Sequence, residues 1–345
     1  MGKRGHMDSK VRVILIGVGA IGCEIAKLLL KRNWIRIVGA VDPDPKKVGK
    51  DLSEVLGLKE RLGIPVLGNI GELNIAGDVA IHATTSYLER AYPQIVELIK
   101  RGLNVISTCE ELSYPYVVSD ELSKNIDELS KKYGVTVLGT GINPGFLMDT
   151  LVITLTAVCQ DVKHIYVERI IDAAKRRLSF QIKIGAGLRV EEFKEKIARG
   201  EITGHIGLKQ SIAMIADALG LKLESIEEEP AEPVIAEKEI KSHFISVRPG
   251  LVAGLSQRAH GILGNKRLVT LAFKAYVGAS EEYDSITIEG TPTIYQKITP
   301  CIHGDAGTAA IIVNMIPKVV NAQPGLKTMK DMPVPSAILG DINFS

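Results

Sequence analysis

No stretch of this 345-residue chain stays apolar for the ~18–20 residues that a membrane-spanning helix needs; Gly, Lys or Asp breaks each of the longest apolar runs. A dominant sign of charge is missing too. Lys and Arg number 42 against 40 Asp and Glu, a net charge of +2, so no basic field recruits nucleic acid or a membrane surface. Only four cysteines occur, Cys23, Cys109, Cys159 and Cys301, with no CxxC pair and no Cys/His cluster. That spacing excludes a zinc site (metal ligands: none) and fits reduced thiols in a cytoplasmic protein. Residues 1–6 carry positive charge but no apolar core follows, so they are no signal peptide. They read as a leader foreign to the fold, with Met7 as the natural start. Repeats and low-complexity segments are also absent. The acidic run "ESIEEEPAEP" (224–233) is expected to be a solvated loop.

What is present is a globular composition, 46% hydrophobic and 24% charged. The length exceeds one ordinary core and predicts two domains. "VRVILIG" (11–17) is a β-branched run suited to a strand buried on both faces. It leads directly into "GVGAIG" (17–22) and then into the helical pattern of "CEIAKLLLKR" (23–32). This order of strand, glycine loop and helix is the dinucleotide-binding fingerprint. Gly17 permits the tight turn, Gly19 lets a pyrophosphate approach, and Gly22 allows close helix–strand packing. The N–H groups of Ala20, Ile21 and Gly22 at the helix start form the anion site. "IRIVGAVD" (35–42) is a second strand ending in Asp42, placed to bond the adenosine ribose hydroxyls. Asp42 favours NAD, whereas Lys46 or Lys47 could meet a 2′-phosphate; the expected cofactor is therefore NAD(P).

The alternation continues through strands at 78–85, 103–108 and 135–141 and helices at 87–102 and 114–134. It predicts an α/β fold with a Rossmann-type, doubly wound parallel sheet. After residue 148 the pattern changes. Segments 164–172, 178–185, 242–250, 267–278, 284–290 and 292–299 read as strands, with helices at 190–200 and 208–220. A second α+β domain on a mostly antiparallel sheet is expected. The boundaries are 7–148 for the dinucleotide domain, 149–304 for a substrate and dimerisation domain, and 305–345 for a helix and tail returning to the first. Pro317 is expected to kink that helix.

Ligands of open parallel sheets bind beyond the carboxyl ends of the strands. Three such ends are rich in polar groups: "HATTSY", "STCEELSYP" and "GTGINPGF". The first offers Thr84 and Thr85 to the cofactor. The second offers Glu110 and Glu111, of which Glu110, nearer the strand end, is the candidate catalytic acid/base and Glu111 a candidate substrate contact. A carboxylate there can hold an ammonium, take its proton and later direct water at an iminium; the competing reading is helix-entry decoration. In the third, Asn143 is a candidate cofactor contact and Phe146 a pocket wall. Arg169, Arg176 and Arg177 could grip a substrate carboxylate, and His205 sits in a glycine-framed loop as a further substrate candidate.

Taken together, "GVGAIG", "STCEELSYP", "GTGINPGFLMDTL", "DAAKRRLSFQIKIGAGL" and "GHIGL" resemble the dihydrodipicolinate reductase-like group, and within it the 2,4-diaminopentanoate dehydrogenases and native amine dehydrogenases. The resemblance implies NAD(P)-dependent oxidative deamination of 2,4-diaminopentanoate to 2-amino-4-oxopentanoate and ammonia, reversible as reductive amination of a ketone. It also implies a homodimer and maps the family's catalytic glutamate onto "CEE", with Glu110 preferred. The His-rich substrate motif of true dihydrodipicolinate reductases is not found. Two alternatives stay open at this point: an imine or semialdehyde reductase, and an NAD(P)-sensing binding protein.

Overall fold

The computed structural model describes residues 10–340; the leader at 1–6 and the start at Met7 lie outside them. The chain forms two compact units. One runs to Phe146 and resumes at Gly304, and the other spans Leu147–His303.

The first unit opens with β1 (Val11–Ile16), α1 (Ala20–Leu29), β2 (Ile35–Val41), α2 (Leu52–Leu56), β3 (Val66–Leu67), β4 (Val79–His82), α3 (Leu88–Lys100), β5 (Asn104–Ser107), α4 (Asp120–Tyr133) and β6 (Thr136–Gly139). All strand pairings among them are parallel. The strands are almost entirely buried because helices cover both faces, which is why their sequences run apolar rather than alternate. On α3, Leu88, Ala91, Ile95, Leu98 and Ile99 form the buried stripe. Helix α4 begins at Asp120, later than the sequence pattern suggests. Pro115 opens a separate short turn, and Ser119 then caps the helix by accepting from the Leu122 N–H.

The second unit contains α5 (Thr150–Thr156), β7 (Asp161–Asp172), α6 (Leu178–Lys183), α7 (Val190–Ala198), α8 (Leu208–Ala218), β8 (Ser225–Glu228), β9 (Glu232–Ile235), β10 (Ile240–Lys241), β11 (Ser246–Val247), β12 (Val252–Leu263), β13 (Lys266–Tyr276), β14 (Tyr283–Thr291) and β15 (Ile294–Ile298). Its main sheet has the order β15-β14-β7-β13-β12-β8, with β9 also on β12. The pairings are antiparallel except β7 with β13, which run parallel. Along β7, Ile165, Val167, Arg169 and Ile171 are buried while the residues between them are half-buried, the alternation of a sheet with one core face.

Three segments depart from the sequence reading. Residues 178–185 form helix α6 rather than a strand; Gly185 ends it in the left-handed region (φ 75°), and a Cβ there would lie 2.5 Å from Phe193. In 242–250 only Ser246–Val247 is strand, because the Ser242 hydroxyl accepts from the Phe244 and Ile245 N–H groups and bends the chain. The acidic run at 224–233 supplies β8 and the start of β9, two edge strands on which Glu227 and Glu232 are exposed while Glu228 is half-buried and accepts from Gln257 Nε2 at 2.8 Å.

The chain then returns to the first unit through α9 (Gly304–Val320) and β16 (Gly325–Lys327). α9 packs on α1 and on β5, with Pro317 buried inside it. β16 adds to β6 in parallel, completing the order β16-β6-β5-β4-β1-β2-β3. Among the described residues no helix is long and apolar enough to cross a membrane.

Candidate active site

A cleft of about 470 Å³ opens at the carboxyl ends of the first unit's strands. Gly17, Gly19, Asp42 and Thr84, four of the expected cofactor contacts, line it together with Ile70 and Gln94. The glycine loop fits a dinucleotide on its own geometry. Gly17 has φ 91°, and a Cβ there would lie 2.4 Å from the Ala83 carbonyl oxygen. A Cβ on Gly22 would lie 2.0 Å from the Gly17 oxygen, so helix and loop meet at backbone contact. Gly19 is different: a Cβ there meets nothing within 4 Å, so its bare backbone faces open space. No side chain caps α1 and its first turn carries no acid, leaving Ala20, Ile21 and Gly22 as an anion-ready helix start.

Asp42 is buried, and its carboxylate accepts from the Val18 N–H (2.8 Å), the Asp44 N–H (3.0 Å) and the Lys47 ammonium (3.0 Å). Burial pushes its pKa up, but the Asp44, Lys47 and Val18 hydrogen bonds prevail and hold it below the usual carboxylate range. An ionised acid at this position can accept ribose hydroxyls. The Lys47 charge beside it offsets the repulsion a 2′-phosphate would feel.

The ends of β4 and β5 carry a polar network. His82, fully buried, bonds Ser107 Oγ through Nδ1 (2.7 Å) and Gln94 Oε1 through Nε2 (3.0 Å), with Thr84 Oγ1 2.9 Å from the same nitrogen. Burial lowers its pKa to about 4, against a smaller raising effect of the Gln94 bond, so the ring is neutral at pH 7. Ser107 Oγ in turn accepts from the Cys109 N–H (3.0 Å). Burial pushes the Cys109 thiol up to about 12, which keeps it protonated at pH 7.

Glu110 and Glu111 open a short 3₁₀ turn, Glu110–Ser113. They diverge immediately. The Glu111 carboxylate accepts from the Leu88 N–H at 2.6 Å, and its own N–H donates to the Ser86 oxygen at 3.2 Å. It therefore caps α3 from across the sheet edge. Glu110 is half-buried at the strand end, its carbonyl accepting from Ser113 Oγ at 2.7 Å. Gly139 at the end of β6 lets this turn sit close: a Cβ there would lie 2.4 Å from the Leu112 carbonyl. Thr85 accepts from the Tyr87 N–H at the entry to α3. Asn143 and half-buried Phe146 lie on the loop after β6, outside the lining of the cleft.

In the second unit, Arg169 is buried, ion-paired to Asp284, and donates to the Ile302 oxygen. Arg176 is buried and donates to Cys301 Sγ at 3.5 Å, while Arg177 is exposed at the start of α6. His205 stacks on Phe273 (centroids 4.4 Å apart, 14° between planes), and its backbone N–H donates to Gln257 Oε1. The residue is half-buried, yet its Nε2 is shut off from solvent and has no hydrogen-bond partner among the described residues. Burial lowers its pKa to about 3, with Lys183 and Arg169 adding to the effect.

Sequence reading passed over His82, Ser107 and Gln94. The available signal was a histidine inside the apolar run "DVAIHATT": a polar group buried in a central parallel strand requires partners from its neighbours.

Residues 146–345 match a family model described as 2,4-diaminopentanoate dehydrogenase C-terminal domain, and residues 11–138 match one for the dihydrodipicolinate reductase N-terminus. The chain is 36% identical over 340 residues to a 2,4-diaminopentanoate dehydrogenase of Acetoanaerobium sticklandii, covering 96% of both chains. It is 26% identical over 217 residues to a 4-hydroxy-tetrahydrodipicolinate reductase of Dictyoglomus turgidum, covering 63% of this chain and 75% of that one. An amine dehydrogenase from Mycobacterium smegmatis superposes with a TM-score of 0.84 at 26% identity, over 96% of this chain and 98% of that one.

Proposed function

The chain belongs to the 2,4-diaminopentanoate dehydrogenase family and is an NAD(P)-dependent amine dehydrogenase; from that premise we propose that its substrate is a short diamino acid, 2,4-diaminopentanoate, with Glu110 as the acid/base. The C4 ammonium, NAD(P)⁺ and water give the C4 ketone, ammonium, NAD(P)H and one proton. The nicotinamide supplies the hydride acceptor when bound. Gly17, Gly19 and the first turn of α1 are assigned to the pyrophosphate, Asp42 to the ribose, and Thr84, Thr85 and Asn143 to further cofactor contacts.

The observation carrying the Glu110 assignment is the commitment of its neighbour. One Glu111 oxygen is held by the Leu88 N–H, which gives Glu111 a capping role, and we assign the catalytic proton to Glu110, half-buried where the chain leaves β5. Its carboxylate takes a proton from the substrate ammonium, leaving the amine lone pair to assist loss of hydride from C4. That proton passes to solvent, the one proton released overall; the restored carboxylate then takes a proton from the water that attacks the iminium carbon and returns it to the departing nitrogen. Substrate recognition is assigned to Phe146 and to the second unit. There His205 ranks first, because its Nε2 is buried without a partner. Arg169 ranks below it, because Asp284 and the Ile302 carbonyl already occupy its guanidinium. Arg176 and Arg177 follow. The proposal extends to a homodimeric, cytoplasmic enzyme with a dinucleotide domain ahead of a substrate and dimerisation domain.

The test is turnover of 2,4-diaminopentanoate read as reduced nicotinamide absorbance. Glu110→Gln should lower kcat by about 10²–10⁴-fold, the usual worth of a general base, while cofactor binding persists. Glu111→Gln should instead cost about 1 kcal/mol of stability through the weakened cap. Reversed outcomes would exchange the two roles. An imine reductase would need no ammonia in the reductive direction, so ammonia dependence separates that chemistry.

A further inference from the structure

The His82 network has a fixed sense. Gln94 Oε1 carries no proton, so at 3.0 Å from it the His82 Nε2 must donate. A neutral ring with its proton on Nε2 accepts at Nδ1, so Ser107 Oγ–H donates to it at 2.7 Å. Ser107 Oγ accepts from the Cys109 N–H. On the other side, Thr84 Oγ1 donates to the same Gln94 oxygen at 3.0 Å. Each hydrogen bond determines the next, from the backbone before Glu110 to the side chain of Gln94 on α3.

Two consequences follow from where the ends lie. Gln94 lines the cleft together with Asp42 and Ile70. Two donors occupy its oxygen, so the planar amide presents its N–H groups on the opposite side. Beyond the ribose that Asp42 addresses, the next group of a dinucleotide is adenine, whose ring nitrogens are acceptors along one edge. At the other end, Ser107 fixes the Cys109 N–H and with it the direction in which the chain leaves β5 for Glu110.

We propose that His82 is a positioning residue with two limbs: through Gln94 it aims a donor at the adenine edge of the cofactor, and through Ser107 it sets the turn that carries Glu110. The inference rests on the dinucleotide and Glu110 assignments above. Its geometry requires the ring to be neutral, and burial keeps it so at working pH. The two limbs meet at opposite nitrogens of one ring, so they can be cut separately.

The experiment uses the full-length enzyme, with ADP-ribose affinity by calorimetry and kcat for 2,4-diaminopentanoate at saturating NAD(P)⁺. An asparagine places its amide near the Nδ1 position and a glutamine near Nε2. His82→Asn therefore keeps the Ser107 limb and loses the Gln94 limb; ADP-ribose Kd should rise about tenfold, the usual worth of one hydrogen bond, with the larger effect there rather than on kcat. His82→Gln keeps the Gln94 limb and loses the other; kcat should fall about tenfold, with the lesser effect on Kd. Gln94→Leu should reproduce the His82→Asn result, and the double variant should add nothing to it. If both histidine variants move the same readout together, or neither moves, the two-limb assignment is overturned. Should the histidine variants fail to fold, Gln94→Leu and Ser107→Ala each cut one limb and must show the same division between Kd and kcat. Failure of the unaltered enzyme to bind ADP-ribose would sink the dinucleotide assignment itself, and loss of the Glu110→Gln effect would sink the acid/base assignment, so those failures are distinguishable from failure of the relay.

Discussion

His82 and His205 are both histidines that burial holds neutral, one in each unit, and they are built on opposite plans. Both ring nitrogens of His82 are engaged by side chains from β5 and α3. The His205 ring is held by packing on Phe273 and by a bond to its backbone, and its Nε2 is buried without a partner. The hydrogen-bond partners of His82, Ser107, Gln94 and Thr84, are all uncharged. Around His205 lie Lys183, Arg169 and the Arg169–Asp284 ion pair. A satisfied network fixes a single conformation, whereas a buried nitrogen without a partner leaves a hydrogen bond unmade, which is why His205 is proposed as a substrate contact. The comparison separates residues that shape a site from residues that fill it.

The largest expected effect breaks the charged side of the comparison. Arg169→Leu leaves the Asp284 carboxylate buried with its countercharge removed, and burial already pushes that acid's pKa up. The cost should be about 3–5 kcal/mol, read as a lower urea midpoint. Replacing both partners, Arg169→Leu with Asp284→Leu, should recover most of it, because the desolvation penalty leaves with the charges. The corresponding cut on the neutral side, Ser107→Ala, should cost only about 1 kcal/mol.

Acid sharpens the comparison next. The ordinary histidine pKa of 6.5 applies to the unfolded chain, and in the fold His82 titrates at about 4. The unfolded state therefore binds more protons between these values. The stability His82 contributes is fully present above pH 6.5 and is lost as pH falls through 4. The loss across that window is about 3 kcal/mol. Thermal midpoints measured from pH 7 to pH 4 should fall more steeply for the unaltered protein than for His82→Asn. Equal slopes would mean that the ring accepts a proton without leaving its network.

The first unit's plan was legible because its elements obey local rules: a glycine loop between strand and helix, an acid at the end of the second strand, helices with one apolar stripe. The two-residue β3 and five-residue α2 were not, since two or five residues carry no period. In the second unit, "LSFQIKIG" alternates over too few residues to separate strand from helix, and the deciding feature is a glycine whose Cβ would strike Phe193. The site was legible to the same depth. Sequence could place Glu110 and Glu111 at one strand end and could not divide them, because the division depends on the Leu88 N–H reaching Glu111 from another helix. His82, Ser107 and Gln94 were missed for the same reason: the meaning of each is its partner, and the partners lie 12 and 25 residues away.

The smallest expected effect on stability is the most informative about His205. His205→Phe removes no side-chain hydrogen bond, since Nε2 makes none with the described residues, and an aromatic ring keeps the stack on Phe273. The backbone N–H still donates to Gln257, which fixes the loop. Loss of an unsatisfied buried nitrogen should leave the urea midpoint equal or raise stability by about 1 kcal/mol. The same change should raise the KM for 2,4-diaminopentanoate about tenfold if Nε2 meets the substrate, because the bond it would make there has no substitute. A stabilised variant with weakened substrate binding keeps the two histidines on opposite plans. A destabilised variant with ordinary KM would place His205 beside His82, as a residue that shapes the fold and leaves recognition to its neighbours.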